Sequence, residues 1–233
     1  MRLDKFLCEM NMGTRSQVKA LLKQGLITVN GVVVKESDRK IDEQKDCICF
    51  RDEPLLFERF VYYMLNKPAG VVSATRDNTA ETVLSLLGED AREDIFPVGR
   101  LDKDTTGLLL LTNDGALSHR LLSPKKHVDK VYLVNCAHSL SPEEIAALEQ
   151  GVDIGEEKPT LPAKVKVLEE KQILLTIHEG KFHQVKRMLQ AVGNEVTALK
   201  RVAFGGLVLD ETLAPGAYRR LTEAELQTLQ NNS

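Results

Sequence analysis

Apolar residues recur at Leu3, Phe6, Leu7 and Met10, the spacing of one helix face, and Gly13 ends that run. Thr14 or Ser16 can cap a second helix with Val18, Leu21 and Leu22 on its apolar face and Gly25 as its stop. Leu26–Val29 and Val32–Val34 flank Asn30-Gly31, the pair that a type I′ hairpin turn prefers. Residues 1–56 therefore read as helix, helix and hairpin followed by a linker, with a core too thin to enclose a buried site. Charge and Pro54 break the pattern over Arg51–Glu58, which marks the boundary.

From Val61 onward, short apolar runs predict strands over Val61–Leu65, Val71–Ser73, Leu108–Leu111, Lys130–Asn135, Ala163–Leu168 and Ile173–His178. Helical stretches interrupt them at Thr82–Leu87, Glu143–Glu149 and Phe182–Val192, and Leu221–Leu229 reads as a short terminal helix. Ser141-Pro142-Glu143-Glu144 is a strong helix start: a capping hydroxyl, proline in the first turn, then acids. No regular strand–helix–strand rhythm appears, so residues 57–233 are expected to form an α+β domain around a mainly antiparallel sheet.

Composition narrows the class. Of 233 residues, 42% are hydrophobic, which excludes global disorder. No uncharged apolar run approaches the roughly 18 residues of a membrane span. The first ten residues mix both charge signs and lack the apolar core of a secretory signal, so a cytoplasmic location with no membrane partner is expected. Cys8, Cys47, Cys49 and Cys136 form no CxxC pair, which favours reduced thiols over disulfides or zinc.

The net charge of −3 argues against a protein coated in positive charge, but the distribution is uneven. Residues 1–35 carry six basic residues against two acids, residues 119–130 four against one, and residues 178–201 five against two. Arg15, Lys19 and Lys23 recur every four residues and line one side of the second helix. Such stripes on a neutral body fit a selective polyanion binder, and each taken alone is equally a solvated helix face.

The densest polar run is Gly99-Arg100-Leu101-Asp102-Lys103-Asp104-Thr105-Thr106-Gly107, followed by four leucines. Acids, hydroxyls and bases beside a buried strand imply a site at a sheet edge, and tight-turn chemistry would produce a similar cluster. Asp102-x-Asp104-x-Thr106 also fits a phosphotransferase loop, but Phe96-Pro97-Val98-Gly99 is not the apolar strand that loop follows. His178 and His183 are five apart, the wrong spacing for two metal ligands on one helix face. No Walker loop or dinucleotide fingerprint occurs. Aromatic residues make up 5% of the chain and tryptophan is absent, so each Tyr or Phe near a basic stripe is of interest as a stacking surface.

Four segments then converge. Gly99-Arg100-Leu101-Asp102 with Thr105-Thr106-Gly107-Leu108 resembles the catalytic motif of the RsuA/RluA pseudouridine synthases, closest to the RsuA branch. Leu65-Asn66-Lys67-Pro68-Ala69-Gly70, Lys130-Val131-Tyr132-Leu133-Val134 and the run Glu179–Met188 match further motifs in order. The N-terminal unit resembles the αL RNA-binding module that this branch carries. The resemblance covers essentially the whole chain. Lys181-Phe182 stands where Arg-Tyr is common, and the loop from Thr75 to Asp94 departs from the usual sequence, making it a candidate RNA contact.

The resemblance implies a cofactor-independent isomerase that converts one uridine of ribosomal RNA to pseudouridine, with small-subunit (16S) RNA as partner and a monomer as the working form. Asp102 would be the essential carboxylate, attacking the ribose or abstracting its 2′ proton. A cation about 4 Å away would favour its ionised form by roughly 4 kcal/mol. Lys186 is the first candidate for that cation and Arg187 the second, since helix orientation decides between them. A surface phosphate contact is the alternative for either.

Tyr132 would stack on the target uracil, or else pack in the core. Arg100, two residues from Asp102, would help fill the space of the extruded base, or else form a structural salt bridge. Arg15, Lys19, Lys23, Lys67, Lys181, His183 and Gln184 are the remaining candidate RNA contacts, with shaping the floor of the site as the alternative for Lys67. A non-catalytic assembly factor and the phosphotransferase are the rival readings.

Overall fold

A computed structural model of the chain describes residues 1–10, 12–43, 45–55 and 58–232. It divides into two compact units, Met1–Arg59 and Phe60–Ser233.

In the first unit, α1 (Leu3–Glu9) and α2 (Arg15–Lys23) precede four short strands. These are β1 (Ile27–Val29), β2 (Val32–Val33), β3 (Ile48–Phe50) and β4 (Glu53–Pro54), in the antiparallel order β2-β1-β3-β4. Of the two candidate caps, Thr14 is the one used. Its hydroxyl accepts from the Gln17 amide while the Gln17 side chain accepts from the Thr14 amide, a reciprocal capping box. Asn30 and Gly31 both take positive φ, +53° and +79°, as a type I′ turn requires. Leu3, Phe6, Leu7, Val18, Leu22 and Ile27 fill the core between helices and sheet.

In the second unit the elements are β5 (Tyr62–Lys67), a 3₁₀ helix (Ser85–Asp90), β6 (Phe96–Pro97), β7 (Thr106–Thr112), α3 (Gly115–Leu122), β8 (Lys130–Cys136) and α4 (Pro142–Gln150). They continue with β9 (Lys164–Glu169), β10 (Gln172–Ile177), α5 (Gln184–Ala191), β11 (Val196–Phe204), β12 (Leu207–Val208), β13 (Tyr218–Arg220) and α6 (Glu223–Asn231). The described strands form one nine-stranded sheet in the order β13-β5-β7-β11-β8-β10-β9, with β12 on β11 and β6 on β7. Every pairing is antiparallel except β7 with β11. The expected α+β architecture with a mainly antiparallel sheet is the one observed.

Both faces of the sheet are covered, which explains the leucine run in β7. Leu109 and Leu111 join Tyr63, Leu65, Tyr132 and Met188 on one face; Leu108 and Leu110 join Met64, Leu117, Leu121, Phe204 and Leu229 on the other. β8 instead alternates buried and half-buried positions along its length.

Several elements depart from the sequence expectation, α3 and the short strands β6, β12 and β13 among those with no expected counterpart. Val71–Ser73 is not a strand but a loop with a single bridge, Val72 to Thr82, and the helix expected at Thr82–Leu87 is the 3₁₀ turn Ser85–Asp90. β11, in the middle of the sheet, has no counterpart in the expected strands. Bulges at Val196/Ala198 and Arg201/Ala203 break its alternation, and Lys200-Arg201 disguised it as part of a surface charge stripe.

The parallel pair is unusually close. Lys200 lies opposite Thr106 and Arg201 opposite Gly107, and a Cβ on Gly107 would stand 2.2 Å from the Arg201 carbonyl oxygen. Gly107 also has φ +98°. Gly107→Ala is therefore expected to destabilise the fold by about 3 kcal/mol or more, read as a lowered urea midpoint, because clash and backbone strain add.

Candidate active site

Because β7 and β11 run parallel, the loop that enters β7 and the helix that precedes β11 arrive at the same end of the sheet. The loop carries Arg100, Leu101, Asp102 and Asp104. Leu101 is buried, so the residues on either side of it face outward. From α5, Lys186 Nζ reaches to 3.2 Å from Asp102 Oδ2 and donates to both Asp104 oxygens, at 2.6 and 2.8 Å. One ammonium thus bridges two carboxylates. Its hydrogen bond holds the Asp104 carboxyl below its usual value. Partial burial works against the charge on Lys186, but the bonds to Asp104 and Asp102 outweigh it and raise its pKa.

The loop is held from beneath by Lys67, at the end of β5. Its Nζ donates to the carbonyls of Pro68 at 3.0 Å, Lys103 at 3.3 Å and Thr105 at 2.9 Å, using all three donors. Burial pushes its pKa down to about 8, while the charges of Asp104 and Asp102 oppose the shift. Ser73 adds a second tie, its hydroxyl bonding both the amide and the carbonyl of Leu101.

Between the loop and α5 opens a small cleft lined by Arg100, Asp102, Thr105, Tyr132, His183 and Leu199 among others. Tyr132 projects from β8 and is 8% exposed; it packs in the core and also forms a wall of the cleft. Its hydroxyl hydrogen-bonds the Arg201 guanidinium of the neighbouring strand, in register with it. Arg201 is fully buried without a carboxylate: Nε donates to the Leu108 carbonyl at 2.8 Å, the guanidinium stacks 4.9 Å from the Phe204 ring, and Nη2 has no partner. Burial pulls its pKa down, against the Tyr132 hydroxyl. Thr105 Oγ1, in the cleft wall, is buried and also without a partner, leaving a polar handle that a ligand could use.

On the lip, His183 Nε2 lies 3.6 Å from Asp102 Oδ1, too long for a hydrogen bond. Its ring stacks on Phe182, centroids 3.8 Å apart.

Residues 61–191 match the RNA pseudouridylate synthase family and residues 1–46 the S4 domain family. The chain belongs to the RNA pseudouridylate synthases. It is 49% identical to an uncharacterised RNA pseudouridine synthase, YtzG, of Bacillus subtilis (98% of each chain covered). It is 45% identical to ribosomal small subunit pseudouridine synthase A of Vibrio cholerae (98% of this chain, 99% of that one). Among solved structures, a pseudouridylate synthase crystal structure aligns with TM-score 0.71 and 43% identity over 98% of this chain and 99% of that one.

Not every residue singled out from the sequence of this synthase reaches the cleft. Arg187, the second candidate partner for Asp102, turns away. Its guanidinium binds Glu156 at 2.7 Å and the carbonyls of Phe182 and Ile154. Lys67, expected among the RNA contacts, is wholly buried and acts as the floor of the site instead. Gln184 is buried but does line the cleft; its amide nitrogen donates to Glu179 at 3.0 Å and its amide oxygen accepts from the Lys181 backbone at 3.0 Å.

Lys181 Nζ donates to the Lys158 and Pro159 carbonyls and lies 3.5 Å from Glu179. Two members of the basic stripes are interior: Lys130 binds the Val128 carbonyl at 3.0 Å and has its pKa pushed to about 8 by burial, and Arg201 lies behind Tyr132. Arg15, Lys19 and Lys23 are exposed on α2, away from its buried Val18 and Leu22.

Neither Arg201, whose charge masks a core position, nor Phe182, for which the scarcity of aromatics is the available signal, stands out in the sequence as a site residue. Lys67→Met should strip three carbonyls of their donor. Since it also removes a buried charge, a net loss of about 2–3 kcal/mol in urea unfolding is expected, with faster amide exchange over 102–105.

Proposed function

We propose that this synthase isomerises one uridine of small-subunit ribosomal RNA to pseudouridine, with Asp102 acting on the ribose and no cofactor. The observation that carries the reading is the placement of Asp102 in a cleft, ion-paired with Lys186 at 3.2 Å and sharing that cleft with Tyr132. The relatives named as small-subunit synthases support the choice of RNA.

The reaction breaks the bond from C1′ to N1 of uracil, forms one from C1′ to C5, and exchanges the C5 hydrogen for a proton on nitrogen. It consumes no oxidant, reductant or phosphate, so its stoichiometry requires no cofactor. The target base must leave its stack to enter the cleft. Tyr132 supplies a face for the uracil and a hydroxyl near the carbon that loses its proton. Arg100, exposed beside Asp102, is available to occupy the vacated space. Asp102 acts as nucleophile or as base at the 2′ position, and Lys186 holds its charge in place in either role. That ammonium already lies between Asp102 and Asp104, where the phosphotransferase reading needs magnesium.

Small-subunit RNA tritiated at uridine C5, with and without bound ribosomal proteins, should release one equivalent of tritium. Asp102→Asn should abolish release while RNA affinity stays within a few-fold. Normal turnover by that variant would remove Asp102 from its role, and no release by the wild type from either form would send the search to large-subunit RNA.

The exposed bases of α2 are expected to contact phosphates. Replacing Arg15, Lys19 and Lys23 together by Gln should weaken RNA binding and flatten the dependence of log K on log salt by about 2–3 units. An unchanged slope would remove α2 from the interface.

A further inference from the structure

We propose that the stacked rings of Phe182 and His183 form a platform for the base next to the target uridine, at the lip of the Asp102 cleft. This rests on the reaction proposed above. Phe182 is 73% exposed, the most of any large apolar side chain among the described residues. A ring left in water contributes little to folding, yet this one is held in a defined place. It lies on the His183 imidazole with centroids 3.8 Å apart and planes 19° from parallel. His183 covers one face, so the other is the face open to solvent. His183 itself lines the cleft, its Nε2 3.6 Å from Asp102, and the two rings therefore lead outward from the catalytic carboxylate.

The turn beneath them is tied by hydrogen bonds. His183 adopts φ +50°, a left-handed conformation that side-chain-bearing residues seldom take. The Lys181 amide donates to Gln184 Oε1 at 3.0 Å, the Arg187 amide to the His183 carbonyl at 3.0 Å, and Arg187 Nη1 to the Phe182 carbonyl at 3.0 Å. Arg187, which turns away from Asp102, and Gln184 thereby act as positioning residues of this lip.

A uridine drawn into the cleft leaves its neighbour without a stacking partner on one side, and a preformed aromatic face replaces that partner at little ordering cost. Phe182 offers no donor or acceptor to a base edge. The platform therefore recognises a base by its face and tolerates any of the four.

The absence of tryptophan provides a direct test. Phe182→Trp places a single indole on the lip, and its emission should fall about twofold or more on titration with protein-free small-subunit RNA. Inorganic polyphosphate, a polyanion without bases, should leave it unchanged. No quenching by RNA, or equal quenching by polyphosphate, would overturn the platform.

In the tritium assay, Phe182→Ala and Phe182→Leu should each raise KM by about tenfold with a smaller change in kcat, and Phe182→Tyr should stay within about twofold of wild type. Wild-type KM in Phe182→Leu would point to an apolar contact with a ribosomal protein and overturn stacking. A loss confined to kcat would overturn it too. The two proposals fail separately: quenching by RNA without tritium release keeps the platform and sinks the reaction, whereas normal turnover without quenching does the reverse.

Discussion

The catalytic unit depends on the contact between β7 and β11 at Gly107 and Arg201. An antiparallel sheet that acquires one parallel pair brings two chain segments to the same edge, and here those segments are the Asp102 loop and α5. A side chain at residue 107 would force the strands apart, because the carbonyl of Arg201 occupies its place. With the strands in contact, Lys186 meets Asp102 and Asp104, and Tyr132 on the adjoining strand forms the wall of the same cleft. The site is thus a consequence of strand order as much as of the residues that line it.

Charge around the site follows a consistent arrangement. Lys67, Lys130 and Arg201 are buried, each bonded to backbone carbonyls rather than to a carboxylate, with Lys67 beneath the Asp102 loop. Asp102 and Asp104 lie above them, toward solvent, with Lys186 between. Burying cations without acids is costly, and the downward pKa shifts of Lys67 and Lys130 to about 8 express that cost. In return, the carboxylates of the loop sit over fixed positive charge, and a polyanionic strand approaching the cleft meets the same field. The fold maintains this through carbonyl contacts that double as structural ties, so the loop geometry and the local potential cannot be altered independently.

Much of this was legible in the linear pattern. The helix cap offered by Thr14 or Ser16, the Asn30-Gly31 turn, the Ser141-Pro142 helix start and the leucines of β7 are local signals with local causes, and the structure uses them, with Thr14 as the cap. The motif around Asp102 and the order of the four segments pointed to the family that the chain belongs to. β11 stayed hidden because its bulges break the period of two and its Lys-Arg pair mimics a surface stripe. Lys67, Lys130 and Arg201 were misread for a related reason: a basic residue is ordinarily exposed, and only tertiary carbonyl acceptors make burial tolerable.

The sequence by itself determined the elements with regular local signals, the two-unit division of signals and the inventory of reactive groups, because periodicity, caps and turns act over a few neighbouring residues. Only the tertiary structure decided which of those groups meet. Lys186 and Arg187 are consecutive and equally basic, yet about 100° of helix rotation separates them. The phase of α5 against the sheet turns one toward Asp102 and the other toward Glu156 and the Phe182 carbonyl. That phase is set by Val185, Met188 and Leu189 packing onto the sheet, a constraint carried by residues distant in the chain.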